Sequence, residues 1–139
     1  MAQADQPWIL QSFPVSYKDK EAERLRSVPQ FTFPCPTHVT TVQHFSFVLT
    51  NLEAQWTFGY CRWALAAVPT PPPTRYAPKS ETALCFLSPL PWHEVFFKLL
   101  NQCAELLQAG HDGLHTFLGR CAAVVRCAGA VHGGAVWWC

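Results

Sequence analysis

Polar and apolar positions alternate along Val42–Thr50 (VQHFSFVLT): Phe45, Phe47 and Leu49 share one face, and His44, Ser46, Val48 and Thr50 the other. This predicts a half-buried β-strand. After a turn-length break at 51–55, Trp56–Trp63 (WTFGYCRW) reads as the return strand of an antiparallel hairpin, with Trp56, Phe58, Tyr60 and Arg62 on one face. Gly59 marks a bulge or a close backbone approach. Thr82–Ser88 (TALCFLS) is apolar on both faces and reads as a central strand. Pro89-Leu90-Pro91 then turns the chain, and Pro91 fits the first turn of a helix running from about Trp92 to Ala109. In that helix Val95, Phe96, Leu99, Leu100, Cys103, Leu106 and Leu107 recur at helical spacing as one apolar stripe, and Gly110 stops it.

The stretches on either side are less regular. Tyr17–Ser27 (YKDKEAERLRS) is rich in helix formers and predicts a short exposed helix ended by Pro29. Phe31 and Phe33 then alternate as in a short strand closed by Pro34. Residues 64–81 hold five prolines between 69 and 78, so a loop is expected across this whole span. Residues 110–139 carry six glycines and three cysteines with no clear period; they read as an atypical tail, disordered or non-native, with a weak Ala/Val helix at 114–128. The expected fold class is therefore α+β, an antiparallel sheet packed by helices. Only one helix is assigned to a sheet face, so the other face calls for a partner or for further chain.

Composition narrows the function. The 139 residues suit one domain, half of them are apolar, and 14% are charged. A net charge of +1 gives no electrostatic case for nucleic acid or an anionic membrane. The N-terminus does not read as a signal peptide, and no apolar run approaches the ~18 residues of a spanning helix. With a reducing compartment as the default, the seven cysteines read as buried thiols. His111, His115, Cys121 and Cys127 form only a loose zinc-like set, because the cysteines lie wider apart than structural sites use. Cys35 and His38 lack the setting of a cysteine nucleophile, and Gly133-Gly134 is followed by no lysine that would make a phosphate loop. Neither a cofactor nor bond-making chemistry is expected.

Three phrases resemble the upstream part of the DENN domain, with the nearest likeness to the connecdenn subfamily of Rab exchange factors. They are Phe31-Thr32-Phe33-Pro34; Phe45–Thr50 with Phe58–Arg62; and Leu90-Pro91-Trp92-His93-Glu94-Val95-Phe96-Phe97-Lys98-Leu99-Leu100-Asn101, the most specific. The likeness runs over residues 8–109, with a proline-rich insertion at about 66–81 and His93 where the family shows an aromatic residue. It implies a longin-like module, one lobe of an incomplete DENN domain, and a Rab small GTPase as partner. It also implies a cytoplasmic protein, peripheral on clathrin-coated vesicles or endosomes, with clathrin or adaptor contacts made through other regions. Trp56, Arg62, His93 and Lys98 are the candidates for the GTPase interface. Because the second lobe is not found in this chain, exchange by it alone is expected to be weak or absent. The alternative is a non-catalytic longin-type adaptor, or a truncated isoform competing with the full protein.

Overall fold

The computed structural model describes residues 9, 11–13, 22–33, 40–67, 79–109, 116–120 and 135–138. Among these residues five strands form one sheet: β1 (Gln11–Phe13), β2 (Gln43–Thr50), β3 (Trp56–Ala67), β4 (Lys79–Ser88) and β5 (Ala135–Trp138). Their order is β1-β5-β4-β3-β2, and every pairing is antiparallel. Two helices, α1 (Ala22–Thr32) and α2 (His93–Ala109), pack on the sheet, giving the expected α+β class.

The hairpin follows the alternation in the sequence. In β2, Phe45, Phe47 and Leu49 are half-buried while the residues between them are exposed. Asn51 shapes the connection: its side-chain oxygen accepts from the amides of Glu53 (3.0 Å) and Gln55 (2.8 Å), and Ala54 turns the chain at φ 57°. The register runs unbroken past Gly59, which pairs with Phe47, so the glycine serves close approach and not a bulge.

β4 is central, as expected, with β3 on one side and β5 on the other, and residues 83–88 are all buried. Leu84 and Phe86 face α2. Together with Tyr60 they enclose Phe96, Leu100, Cys103 and Ala104, and Leu118 of the helical turn at 116–120 joins this layer. Ala83, Cys85 and Leu87 face the other way, toward Val28 of α1 and toward Phe33, which meets Trp63 edge-on at 5.6 Å.

Four expectations need correction. Pro29 does not stop a helix; it lies inside α1, which continues through Phe31 and Thr32, so no strand forms there. The interior proline removes one backbone donor, but the last turn holds through Phe33 N–H to the Pro29 carbonyl (3.1 Å) and Thr32 Oγ1 to the Val28 carbonyl (2.7 Å). Burial of Val28 and Thr32, both fully enclosed, outweighs that loss. As a result a second helix, α1, lies on the other sheet face, with Val28 packed against Cys61, Cys85 and Leu87. The loop expected at 64–81 is also shorter: β3 continues to Ala67 and β4 begins at Lys79, because the ladder extends to the Ala67–Lys79 pair. Finally, α2 spans His93–Ala109, close to the expected 92–109, but Pro91 lies outside its first turn. The Trp92 carbonyl accepts the first helical bond, from Phe96 N–H at 3.0 Å, so Pro91 precedes the cap.

Within residues 110–139 the described parts are the turn at 116–120 and β5, which lies between β4 and β1. Pro71–Pro73, Cys35 with His38, and the set His111, His115, Cys121 and Cys127 lie outside the described residues. No helix among the described residues is long and apolar enough to cross a membrane.

Candidate functional site

The corner before α2 is built from two prolines and their neighbours. Pro89 and Pro91 have no backbone donor, which leaves the groups of Leu90 to be satisfied. Its N–H donates to Ser88 Oγ (3.1 Å), and its carbonyl accepts from the Tyr60 hydroxyl (2.6 Å). This ties the start of α2 to the middle of β3. Burial pushes the Tyr60 phenol above its ordinary value, and a backbone hydrogen bond at Trp92 opposes the shift. Around the phenol, Phe96 stacks at 4.7 Å, with His93 at 5.1 Å and Phe97 at 5.9 Å edge-on.

Further along the helix, Asn101 sits over the β2–β3 pair. Its Oδ1 accepts from Arg62 Nε at 3.0 Å and lies 2.8 Å from His44 Nε2. A guanidinium only donates, so Asn101 must present its oxygen, and His44 must then carry its proton on Nε2. His44 and Arg62 are themselves direct ladder partners. Burial lowers the Arg62 pKa and nearby Glu105 raises it, in that order of size; the guanidinium stays charged at neutral pH.

α2 packs over β3 and β4 and leaves the same face of edge strand β2 open. There His44, Ser46, Val48 and Thr50 are exposed, with Val48 at 48% and neighbouring Trp56 at 65%. The exposed face thus pairs an apolar end (Val48, Trp56) with a polar end (His44, Arg62, Asn101), bordered by α2.

The four sequence-derived candidates fall differently on this surface. Trp56 and Arg62 share the α2-side face of β3, near the two ends of the stretch that pairs with β2. His93 opens α2, exposed, but its ring packs against Phe58, Tyr60 and Phe97, and Nδ1 lies 3.3 Å from the Pro91 carbonyl. Lys98 is exposed on the helix between His93 and Asn101. Sequence reasoning missed His44 and Asn101. The available signals were the outward phase of His44 in β2 and the position of Asn101 at the end of the most specific phrase. Among the described residues no cluster of three His, Cys, Asp or Glu could hold a metal ion.

Comparison with known proteins adds an independent line. The uDENN domain model matches residues 7–63, the span that carries α1, β2 and the first two-thirds of β3. Mouse DENN domain-containing protein 1B is 37% identical over 107 residues, covering 74% of this chain and 12% of that protein. Mouse DENN domain-containing protein 1C is 36% identical over the same length and coverage, and human DENN domain-containing protein 1A is 36% identical over 103 residues, 71% of this chain and 9% of that protein. The chain therefore spans only about a tenth of the relatives it matches. No solved structure matches it significantly. With a uDENN match across the hairpin and relatives extending through α2, the chain belongs to the DENN family and is connecdenn-like.

Proposed function

We propose that this module is the N-terminal lobe of a DENN-type guanine-nucleotide exchange factor, and that its open β2–β3 face beside α2 contacts a Rab small GTPase in endocytic or endosomal traffic. The observation that carries this reading is the coincidence of the uDENN match, residues 7–63, with the strands that present Trp56, Arg62 and His44 on an exposed face. Such a factor acts by differential binding: it holds the nucleotide-free GTPase more tightly than the nucleotide-bound form, and the nucleotide leaves. No nucleophile or general base is required. Trp56 supplies an aromatic anchor of the kind that dominates interface energetics. Arg62, held by Asn101, supplies an oriented cation, and His93 and Lys98 are further candidates on the bordering helix.

Stable complexes bury about 1,600 Å² in total. One face of this lobe supplies only part of the contact that a two-lobed clamp makes, so the lobe by itself accelerates release weakly or not at all. The test is nucleotide release from a panel of Rab GTPases beside a pull-down with each in GDP-loaded and nucleotide-free form. Preferential capture of a nucleotide-free Rab with slow release is the expected result. Binding indifferent to nucleotide state would make the module an adaptor, and no binding to any Rab would overturn the proposal.

A further inference from the structure

Cys61 and Cys85 are direct partners in the antiparallel β3–β4 ladder. Residues so paired project to the same face with α-carbons about 4.5–5.5 Å apart, inside the ~4.4–6.8 Å span of disulfides. Both side chains are fully buried thiols, and both pack in one cluster with Leu87 and with Val28 of α1. Cys103 is buried equally well but belongs to the layer under α2, with the sheet between it and the pair.

We infer that Cys61 and Cys85 form a redox site, a dithiol that a peroxide closes to a cross-strand disulfide. One thiol takes an oxygen from hydrogen peroxide, giving a sulfenic acid and one water. The second thiol's sulfur then attacks that sulfur, the S–S bond forms, and the hydroxyl leaves with the thiol proton as a second water. Two electrons pass from the sulfur pair to the peroxide, and thiol reductants reverse the change. Neither sulfur meets solvent in the closed fold, so oxidation proceeds through local opening of α1, whose Val28 lies over the pair. Once formed, the bond ties β3 to β4 at mid-ladder and fixes their register across the 68–78 connection.

The experiment uses the full chain. It is treated with hydrogen peroxide, quenched in acid, alkylated after denaturation, digested, and mapped by tandem mass spectrometry. The expected product links Cys61 to Cys85, lacks two hydrogen atoms, reverts with dithiothreitol, and leaves Cys103 alkylated as a thiol. Separate alkylation of Cys61 and Cys85, or their linkage to Cys35, Cys103, Cys121, Cys127 or Cys139, overturns the proposal. Val28→Ala is expected to speed disulfide formation about tenfold, which equals about 1.4 kcal/mol in the opening equilibrium. An unchanged rate in a folded Val28→Ala chain would rule out gating by α1.

Discussion

Gly59 pairs with Phe47 across the β2–β3 ladder, and the Phe47 ring occupies the space that a side chain at residue 59 would fill. The ring is held there by a second aromatic, Phe31 of α1, stacked on it at 5.3 Å and 18°. A ring laid over a cross-strand glycine restores apolar contact at a position with no side chain of its own. Gly59→Ala forces the ring aside and disturbs the α1 contact, so a loss of about 1–3 kcal/mol is expected from overpacking. Urea denaturation measures it. In a Phe47→Ala background the same substitution should cost less than half as much; equal costs in both backgrounds would show that ring overlap is not the cause.

Asn101 joins α2 to both strands of the hairpin through one oxygen atom. The cluster is exposed, so its share of stability is small. Asn101→Ala is expected to cost about 0.5–1.5 kcal/mol, the net worth of a hydrogen bond or two at the surface. A double-mutant cycle with Arg62→Ala should show coupling, since each substitution alone already removes their shared bond. Additive losses would mean that the two side chains act independently.

The alternation in β2 and β3 made the hairpin legible, and it also placed Trp56 and Arg62 on one face, because a period of two encodes both strand and facing. The stripe on α2 was legible too, apart from Val95, which is 49% exposed at the edge of the helix face toward solvent. α1 was obscured by Pro29. A lone proline is a strong local signal, and the compensating burial of Val28 against β3 and β4 is non-local. β5 is only four residues long and follows a glycine pair, so its strand-favouring Val136, Trp137 and Trp138 make a weak local signal; the strand forms by pairing with β4 and β1, far away in sequence. The link between His44 and Asn101 was hidden for the same reason: 57 positions separate them, and only the packing of α2 on the sheet brings them together.

Tyr60 should make stability depend on alkaline pH. Its phenol titrates above the ordinary value in the folded chain, chiefly through burial. The unfolded chain therefore ionises first, near pH 10. The contribution of the neutral hydroxyl is complete below that pH and is lost as pH rises through the raised folded value. Tyr60→Phe leaves the Leu90 carbonyl without its donor and is expected to cost about 1–3 kcal/mol at pH 7. The gap between the two proteins should then narrow above pH 10, as followed by thermal unfolding between pH 7 and 11. A gap that stays constant over that range would contradict the assignment.

Trp56 is the residue where stability and recognition separate most cleanly. It is 65% exposed at the start of β3, beside exposed Val48, and outside the buried core clusters. Truncating so exposed a side chain costs little folding energy, so Trp56→Ala should stay within about 0.5 kcal/mol of the parent chain. At an interface the same indole would lie in a desolvated contact, where loss of an aromatic anchor commonly costs about 2 kcal/mol or more, over tenfold in affinity. The expected pattern is an unchanged urea midpoint with Rab capture reduced more than tenfold. Capture as strong as that of the parent would move the contact off the apolar end of the β2–β3 face. A lowered midpoint would instead show that Trp56 supports the fold.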